Sequence, residues 1–423
     1  MTRSVAIVGG GIVGSATAFL LARLARTRGV ALDITLVEGT AIAAGASGKA
    51  GGLLALDWHG PNTASLAALS YQLHAALAQE FNGADRWGYR QLDTLSVSAD
   101  FSTSTATTDA KRARQKRLKG ADLFPWLNHD LVTASDVLGG RDTTAQVHPE
   151  QLTTFLASAA QDLGVRLVYG TATGIALPVA PDAPYTLSLA PLADDAAAPT
   201  APAAPDASTP VAVRASGPCP HELAADQVVV AAGPWTGALL ASFGLAGTGA
   251  QAGRAAEIEG SRAHSVVLRT AEGRDLPAQA LFTSIKETGG HAEPEIYNRP
   301  DGTAYACGPT DSSALPASAS AVSVDAGAIA KLVSQVARLS PSHLSESAGA
   351  TVVRTQACYL PVGSGDPVIG RVHGDAADAA KGVYVASGHS CWGICNGPGT
   401  GQVVAELLLD GVASSADIGR LGP

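Results

Sequence analysis

The chain has 423 residues, 46% hydrophobic and 15% charged, so charge is scarce and wholesale disorder is excluded. Its length points to roughly two or three domains. With 28 basic against 37 acidic residues the net charge is −9, and general affinity for nucleic acid or an anionic membrane is not expected. Glycine occurs 47 times, where the usual ~7% would give roughly 30, so backbone must approach something closely.

Ser4 to Ala22 is uncharged and largely apolar, but glycines break it and no cleavage site precedes Arg23, so it does not read as a signal peptide. No other stretch is apolar enough to span a membrane. The chain ends Leu421-Gly422-Pro423, not in a Ser-Lys-Leu peroxisomal address, and a cytoplasmic location is expected, with endomembrane association left open. The cysteines Cys219, Cys307, Cys358, Cys391 and Cys395 are odd in number and lack zinc spacing, so a reduced intracellular compartment and no metal are expected. The basic run Lys111 to Lys119 reads as a solvated helix face.

In chain order, Val5 to Val8 is β-branched and apolar, as in a buried parallel strand. Gly9-Gly10-Gly11-Ile12-Val13-Gly14 follows, then a helical pattern from Ser15 to Arg28 and a second strand, Ile34 to Val37, ending in Glu38. Pro149 to Leu163 reads as a helix and Val165 to Tyr169 as a strand. Tyr185 to Leu189 and Val211 to Arg214 are read as a hairpin. Between them, Ala190 to Pro210 holds nine Ala and five Pro, which reads as a surface loop. Val228 to Ala232 is another buried strand. Ala263 to Thr270, Glu295 to Tyr297 and Thr303 to Cys307 belong to a different, antiparallel sheet. Val383 to Ala386 is the last strand and Thr400 to Leu409 the last helix. The fold expected is α/β, a Rossmann-like domain interleaved with an antiparallel-sheet domain. The first takes 1–60, 145–245 and 355–423, the second 61–144 and 246–354.

Gly9-x-Gly11-x-x-Gly14 between strand and helix is the dinucleotide fingerprint in its proper context. Gly9 allows the turn, Gly11 lets backbone approach a pyrophosphate, and Gly14 lets helix and strand pack. Glu38 would accept hydrogen bonds from ribose hydroxyls. Gly247-x-Gly249-x-x-Ala252 matches a similar pattern but lacks the strand and helix, so no second dinucleotide site is expected.

Ala46-Ser47-Gly48-Lys49-Ala50-Gly51-Gly52-Leu53-Leu54 is a run of small residues soon after Glu38. Here the chain resembles the FAD-dependent D-amino-acid oxidase superfamily, which includes glycine and sarcosine oxidases. The resemblance continues through Val147 to Val165, Val228 to Trp235, Asp366 to Gly370 and Gly388 to Gly401. Within the superfamily it is closest to fungal FAD-dependent oxidoreductases, sharing the Ser47 to Ala55 run and Trp87-Gly88-Tyr89-Arg90.

The resemblance implies noncovalent FAD. Its first half is held by Gly9, Gly11, Ile12, Val13, Gly14 and Glu38. The flavin-side segment supplies Ser47, Gly48, Lys49, Ala50, Gly51, Gly52 and Leu53. Thr173, Ala232, Gly233 and Trp235 follow, and the C-terminal motif adds Gly388, His389, Gly393 and Ile394. Cys358 falls where sarcosine-type enzymes attach flavin covalently, a minor alternative here. Cys391 and Cys395 are read as small buried residues, not a redox pair.

The implied activity is oxidation of a C–N bond in a small-molecule amine or amino-acid-like substrate, with O2 or another acceptor reoxidising the flavin to give H2O2 where O2 serves. A dehydrogenase of the same fold, acting on a hydroxy acid or feeding a carrier, is one alternative. A non-catalytic flavoprotein is another. Amino-acid oxidases of this type pair an Arg with the substrate carboxylate, but Leu360 stands at that position, so Arg299, Arg354 or another cation substitutes or the substrate has no carboxylate there. Glu295, Tyr297 and Arg299 share one strand face, and with His59 and Leu360 they are the substrate-pocket candidates. No catalytic base is assigned.

Overall fold

The computed structural model describes residues 2–102, 124–180, 182–192, 213–246, 253–375 and 378–423. The basic run 111–119, the 247–252 decoy and residues 193–210 of the expected loop lie outside them.

Two eight-stranded sheets and one three-stranded sheet form among the described residues. The first sheet runs Glu222–Ala225, Tyr185–Pro191, Arg166–Ala176, Leu32–Glu38, Arg3–Val8, Gln227–Val230, Gly382–Ser387, Val368–His373. Its five middle strands are parallel, and the antiparallel pairs sit at the two edges. The parallel strands read as unbroken apolar runs because both their faces are covered. The expected hairpin is corrected: Tyr185–Pro191 pairs with Glu222–Ala225, while Val213 and Arg214 are not strand. Ala190 and Pro191, expected in the loop, belong to that strand.

The second sheet runs Thr351–Val362, Glu259–Arg269, Thr303–Asp311, Glu295–Asn298, Gln279–Glu287, Asp93–Asp100, Val132–Gly139, with Gly290–Ala292 beside Gln279–Glu287. Helix Ala326–Leu339 covers one side of it, burying Ile329, Leu332, Val336 and Leu339. Asp325 caps that helix by accepting the Ala328 N–H at 2.8 Å.

Helices Ile12–Thr27, Ala64–Phe81, Pro149–Asp162 and Gly393–Asp410 pack on one face of the first sheet. The last helix begins at Gly393, not Thr400, and contains Pro398. Proline lacks the N–H that Ile394 O would accept. His74 Nε2 donates to Ile394 O at 3.0 Å instead. Ser70 Oγ donates to Cys395 O at 2.6 Å and accepts from Gly399 N at 2.9 Å. Ser70 and His74 are one turn apart on Ala64–Phe81, so that helix completes the hydrogen bonding of its neighbour. The glycines of 397–401, inside the segment that resembles the C-terminal flavin motif, serve helix packing. A Cβ on Gly401 would lie 2.7 Å from the Ala16 carbonyl carbon, and one on Gly397 would strike the Ile12 side chain.

Trp87 is fully buried, and Arg90 bonds Gln146 Oε1 and Asn298 O, so that segment joins the small sheet to the second large one. Among the described residues no helix is long and apolar enough to cross a membrane.

Candidate cofactor and substrate site

The carboxyl ends of the parallel strands open into one cavity of about 490 Å³, in the usual range of roughly 300–1,000 Å³ for cofactor sites. Gly9 turns the chain there with φ +113°, where side chains are disfavoured. A Cβ on Gly14 would overlap the Gly9 carbonyl, so only glycine lets the helix start this close to the strand. Gly9, Gly11, Ile12 and Val13 line the cavity, and Ser47 Oγ accepts the Ile12 N–H at 2.9 Å.

Glu38 also lines it. Its Oε2 accepts the Gly10 N–H and its Oε1 the Thr40 N–H, each at 2.7 Å. Burial pushes its carboxyl up despite those lowering bonds. The cavity then passes Ala46, Ser47 and Ala50, Thr173, and Ala232, Gly233 and Trp235. Trp235 is fixed by its indole N–H donating to Pro316 O at 2.7 Å. At the far end lie Leu360 and Pro361 of the second sheet, and His389, Ser390, Cys391, Gly393 and Ile394. His389 Nε2 sits 2.9 Å from Thr400 Oγ1, and burial holds its pKa at about 4, so the imidazole is neutral near pH 7.

Several residues grouped with these by sequence do not line the cavity. Gly48 packs on the Ala43 carbonyl, Gly51 on the Tyr297 ring and Gly52 on the Val147 carbonyl. Leu53 is in a strand of the small sheet, and Gly388 packs on Ile258. Lys49 lies near Cys358, and burial lowers its pKa. Cys358 is buried and outside the lining, with its thiol pushed up to about 11 by burial. Cys395 is buried as expected, but Cys391 is exposed and lines the cavity. Gly170, Thr171 and Ala317 to Ala319 also line it. Sequence reasoning missed them, because small residues in unmarked segments carry no signal.

Of the five substrate candidates Leu360 lines the cavity and Glu295, Tyr297, Arg299 and His59 do not. Glu295 and Tyr297 share a face, the Tyr297 hydroxyl donating to Glu295 Oε2, but the strand ends at Asn298, before Arg299. Arg299 is buried, its Nη2 donating to Ala50 O at 3.4 Å and its Nη1 3.3 Å from His148 Nε2. Arg354 is paired with Glu150 at 2.6 Å. The His59 ring packs tilted against Trp392 with centroids 4.3 Å apart.

A carboxylate at one end, close-approach glycines at a helix start and small residues along the middle fit an extended dinucleotide. The flavin end would meet the start of a second helix at Gly393. The family DAO, described as FAD dependent oxidoreductase, matches residues 4–407, and the chain belongs to it. The protein is an FAD-dependent oxidoreductase.

A Schizosaccharomyces pombe protein named as an oxidoreductase is 35% identical over 431 residues, covering 100% of this chain and 98% of its own. The Saccharomyces cerevisiae protein TDA3, also named as an oxidoreductase, is 30% identical over 521 residues, covering 100% of this chain and 94% of its own. Among solved structures, glycine oxidase from Geobacillus kaustophilus superposes with a TM-score of 0.70 at 22% identity, covering 100% of this chain and 98% of its own.

Proposed function

We propose that the protein oxidises the C–N bond of an amine or amino-acid-like substrate and that O2 reoxidises the cofactor, giving H2O2. The observation that carries this reading is the reach of the cavity. It starts at Glu38 on the first sheet and ends against Leu360 and Pro361 on the second. A cofactor lying along it would present its reactive end where the two sheets meet. The name of the glycine oxidase of like fold supports an amine substrate.

When bound, FAD supplies the acceptor for a hydride leaving the carbon that bears nitrogen. The chain's own part is to position and to exclude water. Glu38 and the backbone of Gly9 to Val13 would hold the dinucleotide half. Gly393 and Ile394 would set a helix N-terminus beside the other half, where its partial positive charge favours anionic character. Neutral, buried His389 would pack at that end without taking a proton. The resulting imine is released to water and hydrolysed. In this reading residues 1–60, 145–245 and 355–423 bind the cofactor, while 61–144 and 246–354 shape the substrate side. Helix Ala64–Phe81, inside the second set, packs on the first core.

The test is anaerobic mixing of holoenzyme with amines, N-methyl amino acids and D-amino acids, followed by the loss of flavin absorbance. Bleaching by at least one compound, then recovery in air with stoichiometric peroxide, is expected. Full flavin occupancy without bleaching by any of them would overturn the proposal.

A further inference from the structure

One wall beside the cavity carries a carboxylate among aromatic rings. Glu295 stands directly opposite Phe282 on one neighbouring strand and Cys307 on the other. Its Oε2 accepts from the Tyr297 hydroxyl and from Cys307 Sγ at 3.7 Å, both neutral groups. Phe282 meets Trp58 edge to face at 5.3 Å, and Trp58 meets Trp392 at 6.5 Å. Trp392 follows Cys391, which lines the cavity. Glu295, Phe282, Trp58 and Trp392 are all only half-buried, so each keeps an open face.

The two guanidinium groups named as carboxylate partners do not serve as such at this wall. Arg354 is held by Glu150. Arg299 is buried against Ala50 O, His148 and the Tyr305 ring. Leu360, on the cavity lining, is apolar. A substrate carboxylate would meet a like charge here, with Arg354 ion-paired and Arg299 buried. A positive nitrogen would meet the carboxylate and the negative faces of the rings.

We infer that this wall binds the cationic nitrogen of an amine lacking a carboxylate at the reacting end, with Glu295 as its counter-ion, and as acceptor of the ammonium proton before hydride leaves the adjacent carbon, and Trp58, Phe282 and Trp392 as its aromatic surround. The inference deepens the proposed C–N oxidation and rests on it for the site's role.

The probe is benzyltrimethylammonium, which cannot be oxidised through an N–H, compared with benzoate. Each is titrated into holoenzyme while the visible spectrum of bound flavin is followed. The cation should bind and benzoate should bind at least about tenfold more weakly. Glu295→Gln, with FAD content and Tm retained, should weaken cation binding about tenfold or more, and Trp392→Leu should weaken it severalfold. Leu360→Arg should improve benzoate binding. Should Glu295→Gln lose FAD, Trp58→Leu and Trp392→Leu decide in its place. Tighter binding of benzoate than of the cation by the wild type, or unchanged cation affinity in these variants, would overturn the inference. Bleaching by carboxylated amino acids without cation binding would leave C–N oxidation standing and remove the inference. Glu295-dependent cation binding without bleaching by any amine would do the reverse.

Discussion

Glu38 shows how one side chain acquires two duties. Its carboxylate satisfies the Gly10 and Thr40 amides and also faces the cavity. Glu38→Ala removes both, and should weaken FAD binding by about ten- to a hundredfold, each lost charged hydrogen bond being worth about 1.5–3 kcal/mol. Flavin release followed by fluorescence measures it; unchanged affinity would remove Glu38 from the cofactor site. A second residue-scale prediction concerns pH. Burial holds His74 and His389 at about 4, below the ~6.5 of a free imidazole. Between those values the unfolded chain binds protons that the folded chain does not. This stabilising term is therefore full above pH 6.5 and lost as pH falls through the window, by up to about 3 kcal/mol per histidine. His389→Gln should flatten the fall of Tm between pH 6.5 and 4.5. At this scale Gly9, Gly14 and Glu38 were legible because the turn and the strand end admit few alternatives. The packing roles of Gly48, Gly51 and Gly52 were not, since their partners lie far along the chain.

Helices and their contacts set the next scale. The strands and helices around the fingerprint were readable from periodicity, within a few residues. The start of the last helix was not, because Gly397-Pro398-Gly399 reads locally as a turn. It is helical because Ser70 and His74 bond the groups that Pro398 displaces, and because the glycines let Ile12–Thr27 lie close. Ser70→Ala and His74→Ala should each destabilise the protein by about 1–3 kcal/mol in chemical denaturation, through unsatisfied buried carbonyls. Gly401→Ala places a methyl against the Ala16–Thr17 backbone and should cost about 1–3 kcal/mol. Gly217→Ala, which meets nothing within 4 Å, is the control expected near zero. Equal stability of the two glycine variants would refute the close-packing account.

For the whole molecule, the cavity is built from pieces remote in sequence: strand ends near 9, 38, 172 and 231, the 317–319 loop, and 360–361 from the other sheet. Binding along such a cleft ties the sheets together. Saturation with FAD at a hundred times Kd should stabilise the protein by about 2.7 kcal/mol, and removing FAD should lower Tm accordingly. A Tm independent of FAD would show that the cleft is not its site. The sequence alone determined the strand–glycine turn–helix unit and the acidic end of the second strand, because both depend on local sterics and on the period of buried positions. It also supplied the mostly antiparallel character of the second sheet, in which Gln279–Glu287 and Asp93–Asp100 nonetheless pair in parallel, and Leu360 where the resemblance implies an arginine. Only the tertiary structure decided the edge pairing of Tyr185–Pro191, the helical state of 393–399, the pairing of Arg354 and the burial of Arg299. It alone brought Trp58, Phe282 and Trp392 around Glu295. Those outcomes are set by long-range packing and by which buried polar groups find partners, and neither is encoded in neighbouring residues.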